Sequence, residues 1–283
     1  MKERIIVTLT TWSKRINNIP AVLDTIYAQS IRPDFVVLNL SIDEVIPAEV
    51  QQYIDSHSIE INKVPDTKVY KKLIPTLKKY PNDCIISIDD DWLYPKEMIA
   101  DFVDIHKRHP NNPVSGNRVC LFGFQCHCGC ASLTKAEHFG RFIYEVDEDM
   151  MSHCPSDDLV YTFLANMAGH PYMRTSSLYF TNMAPYNEKD SYSQMVCTDN
   201  ALKRTWAFLE NKYGMLRPNI DKYIGDKYMS SLVEDIICKS ISQERSASNY
   251  YEKSLHDVLN SNAYKLGTSL IKPIRWIKAL LCR

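Results

Sequence analysis

Short, nearly unbroken apolar runs alternate with stretches whose apolar residues recur every three or four positions, and this alternation occupies the first half of the chain. Ile5-Ile6-Val7-Thr8-Leu9-Thr10 reads as a buried strand, and Ile19 to Gln29 carries Val22, Leu23, Ile26 and Tyr27 at helical spacing. Phe35 to Leu40 reads as a second strand, Pro47 to Ser56 as a helix opened by proline, and Ile59-Glu60-Ile61 as a short third strand. A short helix is expected from Pro75 to Tyr80, a fourth strand over Cys84 to Ile88, and a helix from Pro95 to about His109. Strands alternating with helices imply a parallel α/β sheet, in which ligands bind beyond the carboxyl ends of the strands.

The second half is less regular. Val119 to Leu133 is rich in Cys, Phe and Gly, Pro155 to Met167 reads as a helix with Asp157 and Asp158 in its first turn, and a strand follows near Tyr172 to Tyr179. A loop rich in Tyr, Asn and Ser leads to a helix from about Asp199 to Lys212. One α/β domain over residues 1–215, with a C-terminal helical extension over 216–283, accounts for this layout.

Composition narrows the class. With 283 residues, 45% hydrophobic and 24% charged, and no period in Gly or Pro, the chain is neither disordered nor fibrous. Nine cysteines at irregular spacing, and an apolar stretch at Ile5 to Leu9 too short for a signal-peptide core, lead to the expectation of reduced thiols in a cytoplasm. The formal charge of -1 divides unevenly, because Tyr264 to Arg283 holds Lys265, Lys272, Arg275, Lys278 and Arg283 and no acid. Taking these five from the 33 basic residues leaves 28 against 34 acidic, so the body carries -6. An acidic body argues against a nucleic-acid partner.

The tail has two readings. Leu266, Leu270, Ile274, Ile277 and Leu281 share one helical face, with Trp276 beside them and the basic residues elsewhere on the wheel. Such a helix lies on an anionic membrane surface, or docks on the acidic body.

The most informative segment is Ile85-Ile86-Ser87-Ile88-Asp89-Asp90-Asp91-Trp92-Leu93-Tyr94-Pro95. Three adjacent carboxylates after an apolar strand repel one another unless a cation is close. A hard divalent ion shared with a diphosphate meets that need, and strand alternation would turn Asp89 and Asp91 to one side with Asp90 opposite. The other reading is a solvated acidic loop before the helix that starts near Pro95.

Together with Ile6 to Trp12 and Arg15, with Tyr70-Lys71-Lys72-Leu73-Ile74-Pro75, and with Cys154-Pro155-Ser156-Asp157-Asp158, this segment resembles the nucleotide-sugar-dependent glycosyltransferases of the GT-A fold, in particular bacterial family-2-like enzymes. The resemblance implies a Rossmann-like, mainly parallel sheet flanked by helices. It implies that Asp91 ligates Mn2+ or Mg2+ on the donor diphosphate, that Asp89 contacts ribose or metal, and that Asp90 lies with the donor. Thr8, Thr10, Trp12 and Arg15 would sit against the nucleotide, Lys72 would offset diphosphate charge, and Asp66, ahead of the weaker Asp43, would read the base. Asp158, with Asp157 beside it, would take the acceptor proton, as the second acid does in inverting members. The implied partners are a nucleotide-sugar donor and a glycan or lipid-linked glycan acceptor, with the enzyme held at the inner face of the plasma membrane.

Plainer readings stand beside these. Ser156 or Asp157 could cap the helix that follows. Cys126-His127-Cys128-Gly129-Cys130 invites a zinc reading, yet a second ligand pair is missing, and the segment reads instead as pocket wall near the acceptor side. His170 reads as a helix C-terminal histidine. Two other function classes compete: a haloacid-dehalogenase-like phosphohydrolase, which Trp92-Leu93 fits poorly, and a non-catalytic glycan-binding scaffold.

Overall fold

The computed structural model describes residues 3–116, 119–122, 124–127, 129–175, 181–182 and 199–216. The expected strand end at 176–179, the loop that follows it and the basic tail lie outside these residues. Two compact units are distinguished, Met1–Arg118 with Cys126–Leu216, and Val119–Gln125 with Arg217–Arg283.

In the first unit a seven-stranded sheet runs in the order β10-β6-β9-β4-β1-β2-β3. Its strands are β1 (Ile5–Thr10), β2 (Phe35–Ser41), β3 (Glu60–Val64), β4 (Cys84–Ile88), β6 (Val114–Ser115), β9 (Ala131–Thr134) and β10 (Met173–Arg174). β1 pairs parallel with both β2 and β4, β2 with β3, and β10 with β6, whereas β9 runs antiparallel between β4 and β6. The central strands are buried along nearly their whole length, β4 at every residue, as expected of strands covered on both faces. The expectation of a mainly parallel α/β sheet flanked by helices holds, and its β1 and β4 bounds are those read from the apolar runs.

The helices are α1 (Ile19–Tyr27), α2 (Ala48–Ser56), α3 (Ile74–Lys79), α4 (Met98–Arg108), α5 (Glu148–His153), α6 (Asp157–Met167) and α7 (Asp199–Tyr213). Proline in the first turn opens α1 and α3, where its missing N–H costs no hydrogen bond. α6 is buried from Leu159 through Ala165, and its Phe163 meets Trp206 of α7 edge-on, with ring centroids 5.1 Å apart. Among the described residues no helix is long and apolar enough to cross a membrane.

Three parts of the fold depart from the sequence reading. Val119 to Leu133 divides into the hairpin β7 (Val119–Leu121) and β8 (Phe124–Cys126) and then strand β9. Lys68–Lys72 and Ala136–Glu145 form 3-10 segments, the second interrupted by a kink at Gly140. After β4 the chain does not continue as a strand: Asp90 and Asp91 lie in a turn before the two-residue β5 (Trp92–Leu93), which pairs with β11 (Thr181–Asn182). The expected alternation of the three aspartates therefore fails.

A buried polar cluster fixes what lies above the sheet. Thr8 Oγ1 donates to the Lys72 carbonyl at 2.9 Å and lies 2.7 Å from Thr76 Oγ1, while Asn39 Nδ2 donates to both hydroxyls. Each bond is modest, yet an unmade one in this buried place would cost the full desolvation of its group. The cluster ties the 3-10 segment Lys68–Lys72 to β1 and β2, so the lysine pair is delivered to the carboxyl edge of the sheet.

Candidate active site

The turn after β4 splits its three carboxylates between two cations. Asp90 accepts from Thr11 Oγ1 at 2.6 Å and from Arg15 Nη1 at 2.9 Å, and Asp91 Oδ2 lies 3.1 Å from the same Arg15 nitrogen. Asp89 turns the other way, accepting from Lys72 Nζ at 2.8 Å through Oδ1 and from the Cys130 N–H at 2.9 Å through Oδ2. Asp90 and Asp91 thus share a cation, and Asp89 stands apart from Asp91. The Tyr94 hydroxyl fixes the turn from below: it accepts the Asp89 N–H at 2.8 Å and bonds the Cys130 carbonyl at 2.7 Å.

Beside Asp89 stands the start of α6. Ser156 occupies the N-cap position without a side-chain cap bond, so the capping role expected of its hydroxyl is not made. Asp158 Oδ2 instead accepts the Gly129 N–H at 2.7 Å, a donor from across the sheet edge. Asp158 Oδ1 lies 3.3 Å from His127 Nε2 outside hydrogen-bond geometry, and Asp157 Oδ2 lies 3.8 Å from Lys72 Nζ. Both oxygens are buried and accept no hydrogen bond. Asp158 keeps 22% of its side chain exposed against 8% for Asp157, which makes Asp158 the acid that a bound molecule can reach.

Electrostatics follow from this crowding. Burial, with like charges beside it, pushes Asp157 up to about 7, even though Lys72 opposes the shift. Burial also raises Asp158, again against Lys72. Asp89 is the exception: burial would raise it, but the Lys72 charge and hydrogen bond hold it below the ordinary carboxylate range. Lys72 loses solvation as well, yet Asp89, Asp157 and Asp158 together keep it protonated. Burial, reinforced by Lys72, lowers His127 to about 4, so its imidazole is neutral.

The segment 127–130 proves to be the cradle of this site. Its backbone donates to Asp158 and Asp89 from Gly129 and Cys130, which both adopt left-handed φ, +49° and +56°. The His127 N–H donates to Thr162 Oγ1 of α6 at 2.9 Å, and its ring stacks on Tyr172 at 5.4 Å. The sequence reads this segment as pocket wall and gives no sign of its N–H donors, because backbone donors leave no residue signature beyond Gly129 itself. Cys126 and Cys130 are buried, and Cys128 lies outside the described residues.

The remaining expected residues divide into two groups. Trp12 is half-buried on the loop that leaves β1, with Lys14 Nζ 5.1 Å from its ring centre, and Arg15 joins the turn as described. Asp66, just past β3, accepts from Lys71 Nζ at 2.7 Å and pairs with Lys68, which keep it ionised against partial burial. Thr8 and Asp90 are corrections to the expectation of donor contact. Thr8 is fully buried in the polar cluster below the edge, and Asp90, 5% exposed, spends both oxygens on Thr11 and Arg15. Thr10 directs its hydroxyl to the Asn39 carbonyl at 2.8 Å.

The donor set fits a divalent cation of the Mg2+ or Mn2+ kind. Asp91 offers a hard carboxylate oxygen, Asp89 would add one by giving up its bond to Lys72 or to the Cys130 N–H, and such ions take one or two carboxylates and complete their shell with water and phosphate oxygens. The unsatisfied oxygens of Asp157 and Asp158 add acceptor capacity that a hydroxyl or a cation would meet.

No protein-family model matches the chain, and comparison with curated protein sequences returns no match. In three dimensions the chain is similar to the mannosyltransferase PcManGT from Pyrobaculum calidifontis, solved in complex with GDP-Man and Mn2+. The TM-score is 0.59 at 15% identity, covering 99% of this chain and 84% of that one. It is also similar, at TM-score 0.44 and 12% identity over 68% of this chain and 96% of the other, to a 4-diphosphocytidyl-2C-methyl-D-erythritol synthase. With its mostly parallel seven-stranded sheet, the antiparallel β9 and the flanking helices, the chain has a Rossmann-like fold of the GT-A type.

Proposed function

We propose that the protein is a metal-dependent glycosyltransferase that moves a sugar from a nucleotide-sugar donor to a hydroxyl of a glycan, with inversion at the transferred carbon. One observation carries this reading: the aspartate turn after β4 and the start of α6 converge on Lys72 at the carboxyl edge of the sheet. Ligands of open α/β sheets bind at that edge. The similarly folded PcManGT was solved with GDP-Man and Mn2+, in keeping with a nucleotide sugar and a divalent ion here.

Each residue then has a task. Asp158 accepts the proton of the acceptor hydroxyl as that oxygen bonds to the anomeric carbon and the bond to the diphosphate breaks. Its raised pKa brings it toward the operating pH, where a general base is most effective. Lys72 holds Asp89 ionised and balances Asp157 and Asp158. Asp91 and Asp89 would hold Mn2+ or Mg2+, which supplies Lewis-acid neutralisation of the leaving diphosphate. Trp12 and Arg15 would bound the nucleotide side, and Asp66 would read the base. An acceptor at an anionic membrane surface, with the basic tail over 264–283 holding a cytoplasmic enzyme there, belongs to the same proposal.

The test is calorimetry of the full chain against a panel of nucleotide sugars, with and without Mn2+, repeated on Asp91→Ala. Binding of one donor that requires the metal and is lost in the variant is the expected result. No binding across the panel, or unchanged metal-dependent turnover in Asp91→Ala, would overturn the assignment.

A further inference from the structure

At the opposite, amino-terminal edge of the sheet three potential metal ligands meet from separate elements. Glu3 precedes β1, Cys84 is the first residue of β4, and His106 lies on the buried face of α4. β1 and β4 are neighbours with Ile5 opposite Cys84, so strand pairing itself brings Glu3 near Cys84. The three side chains offer one oxygen, one sulfur and one nitrogen, all within 4.8 Å of one another. Glu3 Oε2 and His106 Nε2 are 3.6 Å apart. That is too long for a hydrogen bond, but it falls within the roughly 3.3–3.8 Å that separates two ligands of a tetrahedral ion with bonds of about 2.0–2.3 Å.

The cluster is poorly satisfied by protein groups alone. The buried Cys84 thiol lies beside the Glu3 carboxylate, and the buried His106 Nδ1 has no hydrogen-bond partner. Neither nitrogen of this histidine is used in a sound hydrogen bond. Lys135 takes Glu3 Oε1 at 2.7 Å and also pairs with Glu137, which leaves Oε2 turned to the histidine. Once the thiol is ionised, Glu3, Glu137 and Cys84 are three negative charges against Lys135, and a dication makes the group neutral.

We infer that Glu3, Cys84 and His106 form a binding site for a borderline divalent transition ion such as Zn2+, with water as fourth ligand, which fastens the chain ahead of β1 to α4. Sulfur and nitrogen donors select this class of ion over Mg2+ or Ca2+, which take oxygen. Binding exchanges the Cys84 thiol proton for a metal–sulfur bond and releases that proton to solvent. Cys84 and His106 are buried while Glu3 is exposed, so an ion can enter from the Glu3 side. The site lies apart from the aspartates at the carboxyl edge and does not depend on the proposed reaction.

The experiment uses the full chain, freed of metal by a chelator and titrated with Co2+. One equivalent bound with a thiolate-to-cobalt charge-transfer band is expected, absent in Cys84→Ser and retained in Cys126→Ser. His106→Gln should weaken binding by about tenfold or more. Zn2+ should raise the melting temperature of the wild type and not of Cys84→Ser. A circular-dichroism melt without metal shows whether each variant is folded, and His106→Gln serves if Cys84→Ser is not. No charge-transfer band in the wild type, or a band that survives both Cys84→Ser and His106→Gln, would overturn the site. Mn2+ at the aspartates has no sulfur ligand, so this band separates the two sites.

Discussion

At the amino-terminal edge of the sheet Arg4 binds Asp83 and Lys135 binds Glu3. The Arg4 hydrogen bond holds Asp83 low, and Lys135 holds Glu3 low despite partial burial. At the carboxyl edge Arg15 meets Asp90 and Asp91, Lys72 meets Asp89 and Asp157, and Asp90, Asp157 and Asp158 are all raised by burial. The same sheet therefore ends in carboxylates held low by their cations on one side and in carboxylates raised by burial on the other. Raised, desolvated carboxylates cluster where a ligand or a reaction uses them.

The largest expected effect that sharpens this contrast is on catalysis. Asp158→Asn should lower turnover by about 10²–10⁴-fold with donor affinity kept, measured by initial rates and calorimetry on the donor found to bind. Unchanged turnover would remove the base role. Next is stability. Lys72→Ala leaves the buried Asp157 and the half-buried Asp89 and Asp158 without their cation and should cost about 3 kcal/mol in urea unfolding. Arg4→Ala, whose side chain is 49% exposed, should move the midpoint far less. Equal losses from the two variants would erase the distinction between the edges.

A smaller effect concerns pH. Asp157 rises from its ordinary 3.8 to about 7 in the fold, so the folded state holds this proton more tightly than the unfolded chain does. Its stabilising contribution is full below about pH 4 and is lost as pH climbs to about 7. Asp157→Asn, without donor or metal, should therefore gain on the wild type as pH rises from about 4 to about 7, as read from denaturation midpoints. A constant difference would contradict the raised pKa. Smallest is Gly129→Ala: a Cβ there meets Asp89 Oδ2 at an ordinary 3.5 Å, and the cost is the left-handed φ, about 1–2 kcal/mol. A wild-type midpoint would show that this backbone relaxes easily.

Much of the scaffold was legible as pattern. β1, β2 and β4 are apolar runs because both faces of the sheet are covered, and α1 and α4 show a helical period because one face of each meets the core, whereas α6 is buried on all sides from Leu159 to Ala165. β6 and β10, two residues each, are too short to carry any period. The candidate site is legible in its residue types, since Asp89, Asp91, Asp157, Asp158 and Lys72 all stand in short motifs that the sequence alone displays. Its arrangement was not. The alternation rule misplaced Asp89 relative to Asp91 because the strand ends at Ile88, and Thr8 was assigned to the nucleotide although it anchors the lysine segment from beneath.

By itself the sequence determined the mainly parallel α/β sheet and the acids that gather at its carboxyl edge. These depend on residue type and local spacing, which a single chain displays. Tertiary structure alone decided which cation each aspartate meets, which backbone N–H groups from Gly129 and Cys130 support Asp158 and Asp89, and that Glu3, Cys84 and His106 come together. Those facts depend on which strand ends lie side by side, and pairing between segments some forty to eighty residues apart leaves no local trace in either of them.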